Sequence, residues 1–115
     1  MIPLVSHRAF TELHPTGGHP EGQERIRALH AAYPDFAEAR PATVDELTAV
    51  HGLDHVETVR VVSRSGHPTL LDADTICTET TYEAALLAAG AAIEAAELGG
   101  FSLARPPGHH ALPDR

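Results

Sequence analysis

The sequence predicts an α/β fold in which helices flank a parallel sheet, with the sheet incomplete in this chain. Two short apolar runs, IPLV at 2–5 and FSLA at 101–104, read as strands. A long alanine-rich stretch at 81–98 reads as a helix that is apolar on most of its faces, as helices packed on a sheet are. FSLA runs into a loop, the place where the carboxyl ends of parallel strands collect functional residues. The length of 115 residues fits one domain or a piece of one.

In chain order, IPLV leads into HPTGGHPEG at 14–22, whose prolines and glycines are incompatible with regular structure. From Pro20 onward Ile26, Leu29 and Tyr33 recur at helical spacing with Glu24 turned away, which predicts an amphipathic helix of about three turns ended by Pro34. Arg25 and Arg27 flank its apolar stripe. Thr43 and Glu46 have capping-box spacing, in which the threonine oxygen accepts the N3 amide proton and the glutamate reaches back, so a helix should start near Val44. Gly52 interrupts it, and Val56 and Val59 mark a second helical piece running to about Arg64. SGHP then makes a turn, and TLLDADTICT is expected to be mostly loop.

Thr80 and Glu83 repeat the capping-box spacing before the long helix, which the Gly99-Gly100 pair should end. Glu83, Gly90, Glu94 and Glu97 fall on one stripe, and the other faces carry alanine, leucine and isoleucine. Burial on several sides is therefore expected, although the chain offers few strands to receive it.

Eight arginines and no lysines face sixteen carboxylates, and the net charge of −8 argues against a nucleic-acid partner or an anionic membrane surface. The longest apolar run, AALLAAGAAI, is ten residues long, far short of the ~20 that span a bilayer. A single cysteine, Cys77, makes no internal disulfide, and MIPLVSHRAF lacks the features of a secretory signal, so a cytoplasmic location is expected. Nothing in the sequence specifies an oligomeric state.

The residues with the clearest chemical potential are His109 and His110, adjacent imidazoles behind Pro106-Pro107-Gly108. Histidine titrates near neutrality, so such a pair can divide labour, one ring moving a proton and the other stabilising charge. By spacing alone, a surface loop with two chance histidines is an equal alternative. His14 and His19 have no fixed ligand spacing and do not argue for a metal. Gly52 breaks the helix between His51 and His55, which points to packing, and Cys77 has no neighbour that would make it a nucleophile.

RPPGHHA closely resembles the signature loop of the zinc-dependent deacetylase superfamily, which takes in histone deacetylases, acetylpolyamine amidohydrolases and acetoin-utilisation proteins; the form is class II-like. HPTGGHPEGQERIRALH resembles the family's N-terminal segment, with Gln23 where a proline is usual. ATVDELTAVHGLDHVETV and LDADTICTETTYEAALLAAGAAIEAA resemble its next two segments, in the family's order. The arginase-like relatives share the fold but lack the tandem-histidine loop.

The resemblance implies hydrolysis of an acetylated amine, acetyl-lysine or an acetylpolyamine, by a zinc-bound water. It makes His109 and His110 the acid/base pair, His110 being the proton shuttle, and places Gly108 along the acyl channel. Asp74 takes the position of the rim aspartate that accepts hydrogen bonds from substrate backbone; helix-dipole compensation or solvated charge is the alternative. Arg25 takes that of the arginine bordering the internal cavity, where released acetate could meet it; a surface ion pair is the alternative. The family's zinc ligands, an Asp-x-His and a further Asp, and its oxyanion tyrosine are expected beyond these residues. Residues 1–115 are thus expected to be the N-terminal third of one arginase/deacetylase-type domain, catalytic once completed. The alternative is a non-catalytic binding or interaction module that keeps the first third of the fold.

Overall fold

The computed structural model describes residues 1–108 and 111–114. At its centre is β1 (Leu4–Ser6), flanked by β2 (Ala37–Glu38) and β5 (Phe101–Ser102) in the order β2-β1-β5. Both pairings are parallel: Val5 lies opposite Ala37 and Ser102, and Leu4 opposite Phe101. Alternation along β1 separates two layers. Val5, fully buried, packs with Ala39 and with Ala91 and Ala95 of helix α4 (Thr81–Leu98). Ser6 points the other way, its hydroxyl 2.7 Å from His30 Nε2 on α1 (Gln23–Ala32) and donating to Leu103 O at 2.6 Å. A second cluster joins Phe10, Ile26, Leu87 and Leu103 and ties α1 and α4 to the end of β5.

Helix α1 stops short of Pro34 as expected, with Tyr33 as its cap, but its inward face is Ile26 and His30; Leu29 and Tyr33 are exposed, at 37% and 55%. The helix meets the rest of the molecule along a narrow line, so the predicted stripe is rotated by about one residue. The capping box forms as read: Glu46 N–H donates to Thr43 Oγ1 at 3.1 Å, and Thr43 N–H donates to Glu46 Oε1 at 2.9 Å. It opens the short α2 (Val44–Thr48), and Gly52 separates that from α3 (Leu53–Arg64).

Elsewhere the structure departs from the sequence reading. The segment read as mostly loop contains an antiparallel hairpin, β3 (Thr69–Asp72) with β4 (Thr75–Cys77), irregular at the Leu70/Asp72 step, with Asp72 and Asp74 at its turn. The second capping box does not form, because Thr80 Oγ1 accepts the His14 N–H at 2.8 Å instead of capping α4. Strand β2 carried no sequence signal, its two residues being ordered by pairing with β1.

Helix α4 is buried along one face, through Thr81, Ala84, Leu87, Gly90, Ala91 and Ala95, while Ala92, Ala96 and Leu98 are exposed. Gly90 lies on the buried face, contrary to the polar stripe expected for it, because the segment Arg40–Ala42 crosses the helix there. Gly99 ends the helix in the left-handed region at φ 65°, where only glycine is unstrained. FSLA is less buried than expected of a core strand: Phe101 is exposed and Leu103 carries the burial. Among the described residues no helix is long and apolar enough to cross a membrane.

Candidate functional site

The strand order places connections to β2 and to β5 on opposite sides of β1, and such a switch point opens a crevice at the carboxyl ends of the strands. Arg105 follows β5 at that end. The side chain is buried, and all five of its N–H donors are engaged. Nε donates to Glu21 Oε1 at 2.9 Å and Nη2 to Glu21 Oε2 at 3.1 Å, a two-pronged grip on one carboxylate. Nη1 donates to the carbonyls of Phe10 and Leu13 at 3.3 and 2.6 Å, and Nη2 to that of His14 at 2.7 Å. The guanidinium thus fastens the loop running from the end of the 3-10 turn (Arg8–Thr11) to Glu21 against the residues that lead into Pro106-Pro107-Gly108.

The same loop is held from its other side by the start of α4. His14 is buried with φ 54°; its N–H reaches Thr80 Oγ1, and its Nδ1 lies 2.7 Å from Thr81 Oγ1. Burial, and then the positive Arg105, push the His14 pKa below its ordinary value, with Glu21 opposing. Burial does the same to His30, against Glu38. Both imidazoles therefore resist protonation in the fold more than a free histidine does. Their unfolded-state value is near 6.5, so below that pH the unfolded chain binds protons that the folded chain resists. Stability is expected to be full above about pH 6.5 and to fall as pH drops toward the lower folded-state values. The paired carboxylates Glu38 and Glu46, the latter lowered to about 2, contribute loss only below their ordinary value of 4.5. Urea midpoints at pH 7.5 and 5.5 test this: a lower midpoint at 5.5, with part of the difference removed by His14→Gln, is expected, and equal midpoints would refute it.

Asp74 sits at the turn of the β3–β4 hairpin, with its Oδ1 2.7 Å from His19 Nε2 and its N–H donating to Asp72 Oδ1 at 2.8 Å. Arg25 is exposed at the start of α1 and makes no ion pair among the described residues, unlike Arg27, which pairs with Glu24 at 3.5 Å. Arg25 lines a cleft of about 80 Å³ with Glu21, Ile26, Arg105 and Pro107. Gly108 adopts φ 23°, and its carbonyl accepts the Ala111 N–H at 2.9 Å. His109 and His110 lie outside the described residues.

The structure brings Arg25 and Pro107 to one cleft, whereas Asp74 lies outside its lining and meets His19, two residues before Glu21. Among the described residues no three His, Cys, Asp or Glu side chains are grouped to hold a metal. His14 and His19 have the separate partners just given. His51 and His55 have ring centroids 5.4 Å apart, and His51 Nδ1 lies against the Leu112 and Pro113 carbonyls at 3.1 and 3.3 Å, as packing at a helix boundary requires. Cys77 is fully buried, and burial raises its thiol pKa, which argues against a nucleophilic role.

Reasoning from the sequence missed Arg105, Glu21, and the link between His19 and Asp74. The available signal was an arginine placed directly after an apolar strand and before Pro-Pro, a position that buries a cation and so demands partners.

A family model described as the histone deacetylase domain matches residues 19–115. The chain is 37% identical to a probable deacetylase of Methanothermobacter thermautotrophicus, in an alignment covering 97% of this chain and 37% of that protein. It is 36% identical to a histone deacetylase-like amidohydrolase of Pseudomonas aeruginosa, covering 85% and 30%. The crystal structure of the HDA15 HD domain superposes with a TM-score of 0.82 at 32% identity, covering 96% of this chain and 37% of that one. The chain spans about a third of the length of these relatives.

Proposed function

Since the chain belongs to the histone deacetylase domain family, we propose that it supplies the acid/base loop and the substrate rim of a hydrolase that removes acetyl groups from acetylated amines, either acetyl-lysine or acetylpolyamines. The supporting observation is the Arg105 anchor. Fixed by five hydrogen bonds, it gives the Pro106-Pro107-Gly108 approach a rigid base, and positioning groups on such a base is what proton transfer at a defined atom requires. His109 and His110 follow directly in the sequence.

On this reading water adds to the acetyl carbonyl carbon and the C–N bond breaks, giving acetate and a free amine. His110 shuttles the proton from the attacking water to the leaving nitrogen, and His109 stabilises the developing charge. Asp74 accepts hydrogen bonds from substrate backbone, Gly108 lines the acyl channel, and Arg25 faces the cavity that receives acetate. The described residues do not fit the zinc that the resemblance implies, so its ligands are assigned elsewhere in the protein and no step is drawn through it. Residues 1–115 would be part of one domain of a cytoplasmic enzyme.

Full-length protein, incubated with an acetyl-lysine peptide, is expected to release acetate, and His110→Ala is expected to lose most of that turnover with KM little changed. Turnover retained in His110→Ala would overturn the assignment of the shuttle, and release of no acetate from any acetylated amine would overturn the reading itself.

A further inference from the structure

We propose that His19 is a positioning residue that sets the orientation of the Asp74 carboxylate and thereby tunes recognition of the peptide backbone around an acetyl-lysine; this rests on the assignment of Asp74 to the substrate rim. The two residues are 55 positions apart in sequence and meet at 2.7 Å, one from the loop before α1 and the other from the hairpin turn. The direction of the bond between them follows from the other side of the ring. Glu21 N–H lies 3.0 Å from His19 Nδ1, and a backbone amide only donates, so Nδ1 accepts. The neutral ring therefore carries its proton on Nε2 and donates it to Asp74 Oδ1. With both nitrogens engaged the imidazole cannot turn without losing a bond, and the carboxylate inherits that orientation. The turn bearing it is itself closed by the Asp74 N–H to Asp72 Oδ1 bond at 2.8 Å.

Glu21 serves two elements. Its amide holds the His19 ring, and its carboxylate takes two bonds from Arg105. The rim pair and the base of the histidine loop are thus fixed to the same short segment of backbone, two residues apart. The side chains of His19 and Asp74 are 32% and 55% exposed, so the pair adds little to folding stability, and its effect lies in where the carboxylate points. Because Asp74 meets the peptide away from the reacting carbonyl, a loss of orientation weakens ground state and transition state alike and appears in KM, not kcat.

The test uses full-length enzyme with two substrates: an acetyl-lysine peptide, whose backbone amides flank the modified residue, and an N-acetylated diamine, which has none. His19→Ala is expected to raise KM for the peptide by roughly fivefold with kcat unchanged, and to leave the diamine unaffected. His19→Gln, whose amide N–H can donate to the carboxylate at similar reach, should recover most of the peptide KM. Asp74→Ala, which removes the acceptor, should raise the peptide KM, and adding His19→Ala to it should raise it no further.

If Asp74→Ala raises KM and His19→Ala does not, the positioning role fails while the rim assignment stands. If neither raises it, the rim assignment fails and takes the proposal with it. A fall in kcat on both substrates in His19→Ala marks a merely structural role and overturns the proposal. Independently of turnover, the imidazole ¹⁵N shifts of His19 at neutral pH should be those of the Nε2–H tautomer, and the Nδ1–H tautomer would contradict the geometry.

Discussion

Arg105→Ala is expected to lower folding stability by about 3–5 kcal/mol, the cost of leaving one partner of a buried ion pair alone. The substitution removes five hydrogen bonds at once. It strands the Glu21 carboxylate, whose side chain is only 15% exposed, together with the carbonyls of Phe10, Leu13 and His14. Water can reach part of Glu21, which limits the loss; the carbonyls around Phe10, itself fully buried, are less accessible. Arg105→Lys keeps the charge but presents three donors on a point instead of five in a planar fork, so it should recover only a part. Denaturant unfolding at pH 7.5 measures all of these variants, and a loss below about 1 kcal/mol for Arg105→Ala would show that the pair behaves as a surface ion pair.

Gly90→Ala is expected to destabilise by about 2–3 kcal/mol, against the usual sign. In an exposed helix interior the same change stabilises by up to ~1 kcal/mol. Here a Cβ would lie 1.7 Å from Arg40 O, 2.9 Å from Arg40 C and 3.1 Å from Ala42 N, all backbone atoms. Relief requires the Arg40–Ala42 segment to lift off the helix. That segment is held by Ala42 N–H to Leu86 O at 2.8 Å and by Arg40 N–H to Glu94 Oε1 at 3.0 Å. Lifting it also loosens Ala39 from Ala91 and Ala95. Ala92→Gly, at an exposed position of the same helix, serves as the reference and should cost about 1 kcal/mol. A Gly90→Ala protein as stable as the parent would mean that the crossing segment is free to move.

These two positions show what the sequence made legible and what it did not. The Thr43–Glu46 cap could be read because both partners lie within four residues and need nothing else. The identical spacing at Thr80 and Glu83 misled, since the Thr80 hydroxyl is taken by an amide 66 residues away. Gly90 was assigned to a polar stripe because its neighbours at helical spacing are glutamates, yet the lack of a side chain is itself the signal of a close approach. Strand β2 exists only because β1 lies beside it, and the Asp72 and Asp74 pair concealed a hairpin within what read as a loop.

The site divides in the same way. The segments holding His19, Arg25, Asp74 and Gly108 were found through the family resemblance, and the comparisons show that family. The connection among them was not visible, because Arg105 and Glu21 are 84 residues apart. No local pattern encodes a bond of that span.

The central strand is made well before its partner β5: Ser6 bonds to Leu103, 97 residues later. The emerging chain can close β1, α1 and β2 early, since their contacts are local, but the β5 side of β1 must wait. Pairings of such range slow folding, because a long loop is closed before any contact rewards it. The order of assembly is therefore written into the strand order: β2 can join β1 before β5 is made, and the Arg105 fastening closes only after residue 105 has left the exit tunnel. Pairing with β5 closes the second edge of β1, and the fastening then ties residues 10–21 to the segment that follows β5.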